Sequence, residues 1–230
     1  MNCQECPVFK KSLFKDFSPA LVEWLSQRKT TKNYLKAEQL FLQGEAVRGL
    51  YCHADGLIKV TQKDENNKVR FSRLVLPGDS SGHRSLFVSS TYRGTASVLS
   101  DTACSCFVST EDVSYLLSKN PEFAKSLIEK ISSELVRSED TQIASKEKTL
   151  RSRLAQLLFE LGQEFSTKIN EDDHVIKAEI TKRDLAAVLM VAEESVIRIM
   201  SEMARDGFID YLDKKIVIKN LSKMFDQTKY

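Results

Sequence analysis

An α+β fold is predicted by three features of the 230-residue sequence. Short apolar segments separated by turn residues fill positions 33–110, and a helical stretch without glycine or proline follows Asn120-Pro121. Residues 180–206 then carry two short amphipathic patterns in succession. These features divide the chain into an N-terminal domain over 1–120, a connecting helix and hinge over 121–148, and a C-terminal domain over 149–230.

Length and composition are those of a globular chain of one or two domains, 42% hydrophobic and 29% charged. No run of about 18 apolar residues exists, so no membrane span is expected. The opening MNCQECPVFKK lacks the apolar core of a signal peptide, which predicts a cytoplasmic protein. The net charge of +2 gives a nucleic-acid partner little support, and residues 150–230 carry 13 Lys and Arg against 14 Asp and Glu. Phosphate contacts would therefore need a local face, for which Arg151, Arg153, Lys182, Arg183 and Arg198 are the candidates. Five cysteines in a reducing compartment argue against a disulfide framework.

In chain order, Phe14, Phe17, Leu21, Trp24 and Leu25 recur at helical spacing, with Ser18-Pro19 as a helix start. Between 33 and 110 the segments LKAEQLFLQ, GLYCHADGLIKVTQ, VRFSRLVLPG and ASVLSDTACSCFVS alternate with turn signals at Gly44, Gly49, Asn66-Asn67 and Pro77-Gly78-Asp79. That rhythm predicts an antiparallel barrel or jelly roll, with Asp64–Lys68 as a polar hairpin tip. Thr110-Glu111-Asp112 starts a short helix that Asn120-Pro121 ends. On the long helix, Leu127, Ile131 and Leu135 form a narrow stripe beside Ile128, continued in polar form by Ser138 and Gln142. Such a stripe suits either a parallel homodimer seam or a helix packed along its own barrel, with the polar residues 139–149 as a hinge.

The C-terminal domain opens with a buried helix marked by Leu150, Leu154, Leu157, Leu158, Leu161 and Phe165. A polar loop at Asn170–Asp173 leads to a short strand, VIKAEI. Thr181 is a good N-cap with Asp184 three residues on, and Leu185, Val188 and Leu189 form one apolar face. After a break at Met190–Ala192, Val196, Ile199 (or Ile197), Met200 and Met203 form another. This is helix-turn-helix spacing, whose second helix would enter a DNA major groove. The alternating segments FIDYL and KIVIK around Asp213-Lys214 read as a hairpin wing, and a last short helix runs through Phe225.

This order resembles the Crp/Fnr family of bacterial transcription regulators over nearly the whole chain. The resemblance is carried by Leu57-Ile58-Lys59 after Gly56, Pro77-Gly78-Asp79, the helix after Asn120-Pro121, and Arg151-x-Arg153-Leu154-Ala155. It continues in Ile180 to Ala186 and in Glu194-Ser195-x-x-Arg198. It implies a jelly-roll-like β-roll sensor domain, a dimerisation helix (which favours the homodimer seam for the stripe) and a winged helix-turn-helix that binds double-stranded DNA at a palindromic operator and works with RNA polymerase. Glu194 and Arg198, four apart, would read bases, with Ser195 on a phosphate or base. Thr181, Lys182, Arg183 and Glu193 complete the expected DNA-facing set. The pattern departs at Ala192, where a Ser or Thr cap is usual, at Met190, where glycine is common, and at Glu193 and Ile197. A TTGA- or TGA-type half-site is implied.

The resemblance also bears on the sensor. Cyclic-nucleotide-binding members use a Gly-Glu pair on ribose and an Arg-Ser/Thr pair on phosphate. Here Gly82 precedes His83 and Arg84, the Arg-Ser position falls on Gly94-Thr95 with Arg93 one residue out of register, and the adenine-contacting pair falls on Ser138-Glu139. Gly82, His83, Arg84, Arg93, Thr95, Ser138 and Glu139 are thus the effector-pocket candidates, but cyclic AMP is not expected, because Glu139 would bring a carboxylate towards a nucleotide. Cys3-x-x-Cys6 resembles the start of an iron–sulfur segment, with Cys104 and Cys106 near, though out of register with, the distal ligand. An iron–sulfur or zinc site from Cys3, Cys6 and Cys104 or Cys106, joined by His53 or His83, lacks a full ligand set; redox-active or incidental thiols are the alternatives.

No P-loop, GxSxG, HExxH or DFG-like set is present, so an enzyme is not expected. The competing expectations are a sensor acting through protein contacts with an impaired winged helix, and a regulator needing no effector.

Overall fold

A computed structural model describes residues 2–229, apart from the side chains of Phe71 and Ser72. The chain forms two compact units, Met1–Arg137 and Ser138–Tyr230.

In the first unit, short 3-10 turns at Cys3–Glu5 and Phe9–Lys11 precede α1 (Pro19–Arg28), which Ser18 caps by accepting from the Leu21 amide. The strands β1 (Thr30–Leu35), β2 (Gln39–Phe41), β3 (Gly49–Asp55), β4 (Ile58–Lys63), β5 (Val69–Val75), β6 (Ser80–Ser81), β7 (Thr95–Val98) and β8 (Thr102–Ser109) build two antiparallel sheets. Their orders are β1-β8-β3-β6 and β2-β7-β4-β5. Helix α2 (His83–Val88) lies between β6 and β7; α3 (Thr110–Lys119) and α4 (Pro121–Glu147) follow β8.

Strand alternation divides the core in two. Tyr34 and Ala103 of one sheet meet Leu40, Phe41, Ile58, Val75, Ala96 and Val98 of the other. On the opposite side of β3, Leu50 and Cys52 pack with Leu25 of α1, Leu116 of α3, and Phe123 and Leu127 of α4. Phe14 and Phe123 stack there and Phe17 meets both edge to face, with ring centroids 5.3–5.9 Å apart. Each such buried side chain contributes about 1.5–3 kcal/mol. Asn120 is extended before Pro121, which ends α3, and its side chain accepts from the Phe123 amide at 3.0 Å to start α4.

Three expectations are corrected here. Leu127, expected in the dimer seam, is 3% exposed and belongs to the core of the first unit. Gly49, expected as a turn, opens β3, where any Cβ would lie 2.1 Å from the Val108 carbonyl oxygen. The segment 139–149, expected as a hinge, is helical through Glu147, leaving only Lys148 and Thr149 between α4 and α5 (Leu150–Glu164). Polarity alone does not break a helix: the segment holds no glycine or proline.

In the second unit, Thr149 caps α5 by accepting from the Ser152 amide. Strands β9 (Ser166–Lys168) and β10 (His174–Ile176) lead to α6 (Lys182–Leu189) and α7 (Glu193–Arg205). Then come β11 (Ile209–Leu212), β12 (Lys215–Ile218) and α8 (Leu221–Asp226). The sheet order is β11-β12-β10-β9. Asp213 and Lys214 both take positive φ, 47° and 64°, the two-residue turn that matches hairpin twist. No helix among the described residues is long and apolar enough to cross a membrane.

Candidate nucleic-acid interface

The two-helix unit is built from its caps inward. Asp184 donates its amide to Thr181 Oγ1 at 3.0 Å, and the Thr181 hydroxyl donates to Asp184 Oδ2 at 2.6 Å. Leu185, Ala186 and Leu189 bury one side of α6. Met190 ends it in the left-handed region (φ 56°, ψ 45°), its side chain 76% exposed, and the Val191 amide donates to Ala186 O at 3.0 Å. Arg153 donates to the Leu189 carbonyl at this helix end.

On α7, Val196, Ile199, Met200 and Met203 are buried, so Ile199 and not Ile197 belongs to the apolar face. Glu193, Glu194, Ile197 and Arg198 are exposed and Ser195 is half-buried. Glu194 and Arg198 thus share the outward face. The Arg198 guanidinium is 3.9 Å from Glu202, one turn further on, in an exposed pair of little strength. Ala192 gives α7 no side-chain cap; Glu193 and Glu194 in the first turn complement the helix dipole instead. The same carboxylates disfavour a phosphate at that terminus.

The remaining basic candidates divide. Arg183 is exposed, and Lys182 lies 4.6 Å over the Tyr211 ring, tying α6 to the wing. Arg151 and Arg153, expected as phosphate contacts, are engaged inside the unit. Arg151 binds Asp206 at 2.8 Å and Gln227 at 3.2 Å and stacks on Phe208. A local sequence pattern could not distinguish these two from surface arginines, because their partners lie 36–76 residues away.

The effector candidates do not form one group. His83 and Arg84 converge on Glu134 of α4, which sequence reasoning missed. Glu134 Oε2 is 3.1 Å from His83 Nε2 and accepts from Arg84 Nε at 2.6 Å; Oε1 accepts from Arg73 Nη1 at 2.5 Å. Lys130 approaches Oε1 at 3.4 Å and also pairs with Asp79. Burial by itself would raise the Glu134 carboxyl, but the His83 hydrogen bond and the Arg73 charge hold it far below the usual carboxylate range. Gly82 starts α2 with φ 83°. Arg93 is exposed, Thr95 accepts from the Gln43 amide at 3.0 Å, and Ser138, Glu139 and Gln142 are exposed on α4.

The cysteines are grouped without being a metal centre. Cys3, Cys6, Cys52 and Cys106 line a small apolar cavity of about 20 Å³, room for one water; Cys104 is not part of its lining. Burial raises the thiols of Cys3, Cys52 and Cys104, which disfavours the thiolate that a metal needs. Among the described residues no group of three or more His, Cys, Asp or Glu side chains is arranged to hold a metal ion. The residues present therefore do not fit an iron–sulfur cluster or zinc as arranged. His53 is fully buried between Ser105 (2.8 Å) and Ser81 (2.9 Å).

A winged helix-turn-helix, preceded by a long helix and a two-sheet roll, defines a class of DNA-binding regulator. Residues 152–225 match the model of the Crp-like helix-turn-helix domain and residues 31–120 that of the cyclic nucleotide-binding domain. The fumarate and nitrate reduction regulatory protein of Vibrio cholerae is 21% identical, over 98% of this chain and 90% of its own. Of solved structures, FixK2 from Bradyrhizobium japonicum superposes with a TM-score of 0.73 at 19% identity, covering 88% of this chain and 98% of its own. A CRP-family transcriptional regulator from Thermus thermophilus gives 0.71 at 20%, covering 86% and 97%. This chain belongs to the Crp/Fnr family of transcription regulators.

Proposed function

We propose that the chain acts as a cytoplasmic homodimer on a palindromic DNA site, with α7 in the major groove. Glu194 accepts from a cytosine amino group, Arg198 donates to guanine, and Ser195 serves a phosphate or base. Thr181, Lys182 and Arg183 at the start of α6 meet the flanking backbone, and RNA polymerase is the partner on the promoter. The working parts are 1–120, 121–148 and 149–230. The observation that carries the reading is the outward Glu194–Arg198 face on a helix whose other side is fully buried.

Dimerisation is supported by α4. Ile128, Ile131, Leu135, Val136 and Ile143 are 40–65% exposed and lie within one broad face of the helix. Burying them against a second copy forms a parallel two-helix seam, with Ser138 and Gln142 as polar positions that loosen it.

The acidic first turn of α7 favours a second reading, a regulator that works through protein contacts alone. Selection from a randomised duplex library, followed by band shifts across a salt series, separates the two. Arg198→Ala should weaken the selected site by about 1–3 kcal/mol. Absence of any selected sequence, with the dimer intact by sedimentation, would leave the protein-contact reading standing.

A further inference from the structure

The sensor roll carries an anion receptor that is already filled. Arg73 of β5 and His83 and Arg84 of α2 direct donors at one carboxylate, and both oxygens of that carboxylate are used. His83 is fully buried and held from behind by Ser80 Oγ, 3.1 Å from Nδ1, while Arg73 also donates to the Ser80 carbonyl at 2.8 Å. His83 and Arg73 are therefore held by the roll independently of what they bind. Two arginines and an imidazole around one point is the arrangement that receives a small carboxylate or phosphate. Here the occupant is Glu134, its side chain 10% exposed.

We propose that Glu134 is an intramolecular ligand, filling the receptor formed by Arg73, His83 and Arg84 and so clamping α4 to the roll without a small-molecule effector.

Charge and position both support this. Arg73, Arg84 and Lys130 face only Glu134 and Asp79 among the acids bonded to this cluster. Without Glu134 the donors would hold two uncompensated positive charges, so the empty receptor attracts an anion. Along α4, Phe123, Leu127, Lys130 and Glu134 lie on the roll-facing side, whereas from Leu135 to Glu147 only Ala144 is not exposed. Glu134 thus ties this helix to the roll one turn beyond Lys130. A polar cavity of about 290 Å³, lined in part by Asp79, Ser80, Lys130 and Ser133, adjoins the cluster.

The test is chemical rescue in Glu134→Ala. Acetate, titrated at constant ionic strength, should raise the melting temperature of the variant and leave that of the wild type unchanged. Arg84→Ala in the variant background should remove the response. Equal responses of variant and wild type, or none in a variant that is folded by circular dichroism, would overturn the proposal. A check that needs no variant is calorimetry on the wild type. Acetate and inorganic phosphate should show no saturable binding; binding that Arg84→Ala abolishes would contradict a filled receptor. The clamp itself is read through DNA and rests on the function proposed above. Affinity of Glu134→Ala for the selected site should fall roughly tenfold and return with acetate. Thermal rescue with unchanged DNA affinity would sink the clamp while keeping the receptor. A wild type that selects no DNA would instead be a failure of the DNA-binding reading.

Discussion

Thr181 and Asp184 cap each other at the start of α6, amide to hydroxyl at 3.0 Å and hydroxyl to carboxylate at 2.6 Å, and α7 has no such pair. Ala192 stands at the corresponding position with cap-like backbone angles, φ −68° and ψ 144°. A serine there needs no backbone change to accept from the amides of the first turn. Ala192→Ser should therefore stabilise the protein by about 1 kcal/mol, read as a higher urea midpoint at unchanged slope. A lower midpoint would mean that the first-turn carboxylates already satisfy those amides.

Met190 gives an independent gain in the same turn. Its left-handed backbone costs a residue with a Cβ about 1–2 kcal/mol, and its side chain is 76% exposed, so little burial is lost on truncation. Glycine relieves the strain but makes the unfolded chain more flexible, by about 0.4–1 kcal/mol. The difference leaves Met190→Gly more stable by about half a kcal/mol to 1 kcal/mol, measurable in the same urea series. A clear loss would show that the Met190 side chain makes contacts of its own.

How much of this is legible in the sequence follows the range of the cause. The Thr181–Asp184 box, the two-residue turn at Asp213-Lys214 and the helix stop at Asn120-Pro121 depend on neighbours within a few residues, and all are readable. Gly49 reads as a turn because its need for hydrogen as a side chain comes from Val108 on another strand. Leu127 falls in the seam by spacing alone, because helical periodicity cannot say which neighbour an apolar stripe meets. Glu134 carries only a local hint, Lys130 one turn before it; Arg73 and Arg84 lie 61 and 50 residues away. The candidate base-reading face, Glu194, Ser195 and Arg198, is readable because one helix supplies it.

His53 makes the roll sensitive to acid. Burial is the main cause that pushes its imidazole down to about 3; the Arg73 and His83 charges add to this and Asp79 opposes it. An unfolded histidine titrates near 6.5. Below that pH the unfolded chain takes up a proton that the folded chain refuses, so the His53 contribution is complete above pH 6.5 and is lost as pH falls towards 3. The slope approaches about 1.4 kcal/mol per pH unit, so moving from pH 7 to pH 5 should cost about 2 kcal/mol. Glu134 has the same sign but acts at lower pH. Its depressed carboxyl contributes fully above its unfolded value near 4.3, so it is constant across this window. Urea unfolding at the two pH values should show the loss in the wild type and a smaller loss in His53→Gln, whatever the variant's stability at pH 7. Equal losses would assign the acid sensitivity to another group.

Ile197 is the apolar residue on the outward face of α7, 46% exposed, one residue before Arg198 and three after Glu194. In water it gains nothing there, but against a major groove it can meet the C5-methyl of thymine, the one apolar group that the groove presents. Removing one such methyl from a closed contact costs about 0.8 kcal/mol, roughly a fourfold loss of affinity. Replacing each thymine of the selected site by deoxyuridine, one at a time, should reveal a symmetry-related pair of positions with that loss for the wild type. Ile197→Ser should bind the thymine and uracil duplexes equally, while remaining dependent on Arg198. If the serine variant still senses the missing methyl, the contact belongs to another side chain; if the wild type senses none, Ile197 faces the backbone and not the bases.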